Sequence, residues 1–170
     1  MKSDPPFESA ALVARSADAP DVWDDVRLQK LWLATQRKEW RSLAIVGGSK
    51  GIETLSFADM LSKIAWWYCG QPSSVFDLRD LRLRLVDYHL REIESQIAGG
   101  VRVVIALRSM FENPTAIPIA RAADAVVVCV DLGKTAIKSA EQTIDAVGHD
   151  RVLGSIVIRN RRTPKTAGAA

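Results

Sequence analysis

Cysteine is scarce in this chain: two residues, Cys69 and Cys129, in 170. Both fall inside apolar segments, away from disulfide or zinc-ligand spacings, which excludes a disulfide-stapled scaffold and a structural zinc site. Long hydrophobic runs are absent as well. The best stretches, Ala65–Cys69 and Ala125–Val130, are far shorter than the roughly 20 residues a membrane helix needs. The opening Met-Lys-Ser-Asp-Pro-Pro has no apolar core of a secretory signal, so a cytoplasmic protein is expected. The two histidines, His89 and His149, are far apart and without companions at ligand spacing, so no metal site is expected. Acid is missing from residues 151–170, which carry Arg151, Arg159, Arg161, Arg162 and Lys165, whereas residues 1–25 are acidic. Such ends read as solubilising, and no nucleic-acid partner is expected.

What is present is an ordinary globular composition: 48% apolar and 25% charged residues, with a net charge of +3. That length and balance make one core. Residues 1–20, rich in Ala, Ser, Pro and Asp without periodicity, are expected to be a disordered leader, and residues 162–170 a disordered basic tail. The segment 21–161 is expected to be a single domain. A helix is expected over 22–39, with Asp21 as N-cap. Apolar runs at Ser42–Val46, Ser74–Leu78, Val101–Leu107, Asp124–Val130 and Val152–Ile158 read as buried strands. Helical patterns over 54–69, 81–98, 114–123 and 135–147 separate them. This alternation predicts an α/β fold: a doubly wound, mainly parallel sheet of five or slightly more strands, covered by helices on both faces.

The loop after the first strand, Gly47-Gly48-Ser49-Lys50-Gly51-Ile52-Glu53-Thr54, sits where a glycine-rich phosphate loop does its chemistry. Such a loop offers backbone N–H groups, a helix N-terminus, a Lys and a Ser/Thr. Against G-x-x-x-x-G-K-[ST] the first Gly and the final Thr match, but Ile52 stands in the place of the second Gly and Glu53 in the place of the Lys. A carboxylate repels a triphosphate where a lysine attracts it. The loop therefore reads either as a simple strand-to-helix turn or as a non-standard anion site built from Gly47, Gly48, Lys50, Gly51 and Thr54.

Three further tracts carry a resemblance. They are Arg102-Val-Val-Ile-Ala-Leu-Arg-Ser, then Ala116-Ile-Pro-Ile-Ala-Arg-Ala-Ala-Asp-Ala-Val-Val-Val-Cys-Val with Asp131-Leu-Gly-Lys-Thr-Ala, and Arg151-Val-Leu-Gly-Ser-Ile-Val-Ile. In order and spacing, residues 24–158 resemble the cytoplasmic domain of bacterial tyrosine kinases of capsule and exopolysaccharide synthesis, within the MinD-like P-loop ATPases. The resemblance implies a P-loop-NTPase-like fold, and a cytoplasmic place at the inner face of the membrane through a membrane polysaccharide co-polymerase, the chain-length regulator. In the expected first helix, Asp24-x-x-Arg27-x-x-Lys30 is similar to the family's E-x-x-R-x-x-R ring pattern. With the bulky Trp23 and Trp32 it marks a candidate contact surface for a homo-oligomer or partner; a plain solvated face is the other reading. Trp66-Trp67-Tyr68 closes a helix and is a second candidate patch.

Departures from the family fall on the chemical positions. Ala106 stands where the resemblance places the Walker B acid. Phe76-Asp77-Leu78-Arg79-Asp80 keeps the first acid of the family's Asp-x-Asp at Asp77 but puts Arg79 at the second. Tyr68 and Tyr88 are the only tyrosines, so a tyrosine-rich acceptor tail is missing. Together these losses predict a non-catalytic domain with no cofactor, a pseudokinase serving as a binding component. The alternative is an active MinD-like ATPase, binding ATP with Mg²⁺ through an unorthodox site with Lys50 and Thr54.

Overall fold

The computed structural model describes residues 26–159. The chain divides into two units, residues 1–31 and 32–170. The first unit contributes Val26–Leu31, the start of helix α1 (Val26–Thr35); the expected N-cap Asp21 and the contact residues Trp23 and Asp24 lie outside the described residues. The second unit begins at Trp32 and holds the sheet.

That sheet has five strands: β1 (Ser42–Gly47), β2 (Ser73–Asp77), β3 (Arg102–Leu107), β4 (Ala125–Asp131) and β5 (Val152–Ile158). Their order is β2-β3-β1-β4-β5 and every pairing is parallel. Helices α2 (Leu55–Cys69), α3 (Val86–Ala98), α4 (Ala116–Ala122) and α5 (Ile137–Val147) connect them. The doubly wound parallel architecture expected from the alternation is therefore present. Apolar runs without alternation make central strands because both faces are covered: all six residues of β1 are buried, whereas the edge strands β2 and β5 are only partly so.

Strand side chains alternate between two layers. Ala44, Val46, Val103, Ile105, Leu107, Val126 and Val128 share one cluster with Val86 and Ile93 of α3, Ala116, Ile119 and Ala120 of α4, and Val147 of α5. Helix α2 packs against β2 and β3 with Ala58, Leu61, Ile64 and Ala65 buried. Leaving β1, the chain crosses to the edge strand β2, returns to β3, then passes over β1 to β4. Loops on the two sides of this reversal part at the C-terminal ends of β1 and β4, the place where doubly wound sheets open a crevice.

The expected helix over 81–98 begins later, with a 3₁₀ turn at Leu83–Leu85 and α3 from Val86. The Leu81 carbonyl explains the delay: it accepts from Asn113 Nδ2 at 2.9 Å and Thr115 Oγ1 at 3.2 Å instead of from a helical amide. Trp32, expected on an exposed contact face, is 3% exposed. It meets Trp40 edge-to-face with centroids 6.3 Å apart, so burial of a large aromatic surface takes it out of the contact set. Arg27 and Lys30 are exposed.

Candidate functional site

The loop Gly47–Thr54 leaves the centre of the sheet through two glycines that cannot be replaced without movement. A Cβ on Gly47 would lie 3.2 Å from the Ser49 carbonyl oxygen, and one on Gly48 would lie 3.0 Å from the Cys129 carbonyl oxygen. Gly48 N–H donates to that same Cys129 oxygen at 2.7 Å, which fastens the loop to β4. Ser49 Oγ and Thr135 Oγ1 are 2.8 Å apart, and Thr135 Oγ1 also accepts from Asp131 N–H at 3.0 Å. The turn after β4 thus braces the loop after β1. Gly51 has φ +77°, a backbone setting natural to glycine.

Two amides that could meet an anion here are taken by carboxylates of the chain. The Gly51 N–H donates to Glu112 Oε2 at 3.2 Å, and Leu55 N–H, on the first residue of α2, donates to Glu53 Oε1 at 2.8 Å. Two carboxylates of the chain itself thus sit where amides and a helix N-terminus would favour a bound anion. Thr54 is fully buried and its hydroxyl donates to the Leu107 carbonyl at 2.9 Å. Lys50 is exposed.

Arg79, just beyond β2, joins this loop to the neighbouring one. Its Nη1 lies 3.1 and 2.9 Å from the two oxygens of Glu53, while Nε and Nη2 hold the two oxygens of Asp77 at 2.8 and 2.9 Å. A planar guanidinium matches two carboxylates in this way where an ammonium would not. The Arg79 hydrogen bonds hold the Asp77 carboxyl below its ordinary range, against the opposing effect of burial. Asp77 in turn raises the Arg79 pKa. A second arginine, Arg108 at the end of β3, pairs with Asp80 at 2.9 Å and approaches Glu112 at 3.7 Å. Its pKa is raised by the Asp80 hydrogen bond.

The structure brings Gly47, Gly48, Gly51 and Thr54 together in the loop after β1, with Lys50 exposed and Glu53 turned to Arg79. Ala106 is buried in β3, paired with Ile45 of β1 and Asp77 of β2, and offers no oxygen to a metal. Sequence reasoning noted Glu53 and Arg79 separately, without joining them, and passed over Glu112 and Thr135. The sequence signal was partial: each of the two loops carries one residue of reversed sign, and only the strand order brings the two together. With the amides of Gly51 and Leu55 held by carboxylates, an anion at this place would meet Glu53 and Glu112.

No protein-family model and no curated sequence matches the chain. Solved structures do. The kinase domain of Escherichia coli tyrosine kinase ETK superposes with a TM-score of 0.63 at 12% identity, over 84% of this chain and 77% of that one. The chimerical protein CapA2B2 gives 0.61 at 11%, over 90% of each chain. The BceF tyrosine kinase domain gives 0.52 at 12%, over 76% and 73%. The chain has the fold of a bacterial tyrosine kinase domain. At these identities the likeness is one of architecture, and the resemblance read from residues 24–158 agrees with it. Within that fold the segments following β1, β2 and β3 carry Glu53, Arg79 and Arg108: Glu53 pairs with Arg79, and Arg108 pairs with Asp80 and Glu112.

Proposed function

We propose that this protein uses the tyrosine kinase fold without its chemistry, as a binding or regulatory component of exopolysaccharide polymerisation and export. It docks on a membrane chain-length regulator from the cytoplasmic side, and self-association through the Arg27/Lys30 face of α1 accompanies that docking. The observation that carries the non-catalytic reading is the Arg79 guanidinium held between Glu53 and Asp77. It ties Arg79, beside the turn into α2, to carboxylates of the chain itself rather than leaving it for a phosphate. The pathway rests on the resemblance of the tracts between Arg102 and Ile158, with the kinase-domain architecture as support.

Titration calorimetry with Mg-ATP at about millimolar concentration, where nucleotide-free kinase folds would saturate, tests the reading. No heat of binding is expected. Micromolar binding abolished by Thr54→Ala would instead establish a MinD-like ATPase working through Lys50 and Thr54. Recovery of a polysaccharide co-polymerase from solubilised membranes by the tagged protein, lost in Arg27→Glu, is the expected outcome for the partner.

A further inference from the structure

A cavity of about 550 Å³ opens at the N-terminal end of the sheet, away from the loop after β1. That volume is in the range of small-ligand sites. Its lining comes from the segments that lead into the strands: Trp40 and Arg41 ahead of β1, Gln71 ahead of β2, Arg102 at the start of β3 and Asp124 ahead of β4. Ile97, from the last turn of α3, and Val101 add apolar wall.

Two of these side chains bury hydrogen-bond donors that find no acceptor among the described residues. Trp40 is 2% exposed and its Nε1 has no partner; the buried Nη1 of Arg102 has none either. The two groups are neighbours, since Arg102 Cζ lies 4.8 Å from the centroid of the Trp40 ring. Stacking on the ring serves the guanidinium in part, but it gives nothing to the indole N–H, which lies in the ring plane. Arg102 is otherwise held by Nε, which donates to Gln71 Oε1 at 3.3 Å, a long bond for this pair of atoms. Nearby acceptors are engaged elsewhere: Asp124 Oδ2 takes the amides of Arg41 and Ser42, and the Pro72 carbonyl takes that of Arg102. Buried donors without acceptors are uncommon in folded proteins and costly to keep. Two of them beside a cavity, one on a cation, suit a ligand that brings acceptor oxygens and negative charge. The lining also sets how much charge. Arg41 favours the ionised form of Asp124, so these two offset each other, and the exposed Glu39 adds a carboxylate to the lining. Only Arg102 is left to hold an anion, and one negative charge matches it better than two.

We propose that this cavity binds a small monocarboxylate, its oxygens accepting from Arg102 Nη1 and Trp40 Nε1 and its short carbon chain lying against Ile97 and Val101. The site stands whether or not the loop after β1 binds nucleotide.

Nitrogen-15-labelled full-length protein, titrated with sodium butyrate against sodium chloride at equal ionic strength, tests the assignment. The indole N–H resonance of Trp40 is expected to move in a saturable way with butyrate, with a Kd of about 1 mM, and to stay in place with chloride. The melting temperature of the parent should rise by about 4–7 °C in about 20 mM butyrate. Arg102→Gln removes the charge and should weaken butyrate binding by at least about tenfold. If that variant does not fold, the Trp40 resonance of the parent decides by itself. A Trp40 signal that ignores butyrate, an equal response to chloride, or Arg102→Gln binding as the parent does would each overturn the site. Tighter binding of inorganic phosphate than of butyrate would overturn the monocarboxylate assignment, and so would tighter binding of an N-acetylated tripeptide with a free C-terminal carboxylate, which would make the occupant a chain end.

Discussion

At the opposite end of the sheet from the crevice, Asp124 joins the starts of β4 and β1, and its removal should measure what that join contributes. Its Oδ2 accepts the N–H groups of Arg41 at 2.8 Å and Ser42 at 3.0 Å, and its own N–H donates to Ser42 Oγ at 2.9 Å. These bonds span more than eighty residues of chain, immediately before Leu43 pairs with Ala125. Burial alone would raise the Asp124 pKa, but the Arg41 and Ser42 hydrogen bonds outweigh it and leave the carboxyl below its ordinary value of 3.8. Asp124→Ala leaves two amides without an acceptor; hydrogen bonds to a charged group contribute about 1.5–3 kcal/mol, and this one is partly exposed, so a loss of about 2 kcal/mol is expected. Asp124→Asn keeps an acceptor without the charge and should lose about 1 kcal/mol. For a chain of this size the melting temperature should drop by roughly 4–8 °C and 2–4 °C. A folded-state pKa below the unfolded one gives stability that is present above about pH 4 and lost as pH falls through the folded value. The gap between parent and Asp124→Asn, followed by thermal unfolding from pH 7 to pH 3, should therefore close at the acid end. A gap that stays constant across that range, or an Asp124→Ala variant as stable as the parent, would refute this account of the join.

Other expectations concern the loop and the first helix. Gly48→Ala should lose about 2–3 kcal/mol in urea unfolding, because its Cβ would press on the Cys129 carbonyl at 3.0 Å and on Val128 Cγ1 at 3.3 Å. Gly51→Asn should lose less than about 1 kcal/mol, since no atom lies within 4 Å of a Cβ there and asparagine tolerates a positive φ. Arg27→Glu, on an exposed stretch of α1, should reduce self-association seen by light scattering while leaving the melting temperature within about 1 °C.

The elements were legible in the sequence because their cause is local. Val103-Val104-Ile105 and Val126-Val127-Val128 are β-branched runs that fit a strand buried on both faces, and the observed β3 and β4 contain them. Gly47-Gly48 marked the end of β1 because backbone packs closely there, that of β4 against Gly48 and that of Ser49 and Ser109 against Gly47. Helical spacing and the alternation of runs then fixed the fold class, and the departures of Ile52 and Glu53 from the glycine-rich phosphate-loop pattern were visible by inspection. What tertiary structure decided lies between residues distant in the chain. No periodicity reveals that the Leu81 carbonyl is taken by Asn113 and Thr115, which delays α3 to Val86. Nor does it reveal that Trp32 turns inward onto Trp40, since a helical tryptophan has the same propensity on either face. The meeting of Glu53 with Arg79, 26 positions apart, follows from the parallel strands β1 and β2 ending at the same end of the sheet, on either side of β3. Sequence determines the sign of each charge; only the strand order determines which opposite charges come within 3 Å.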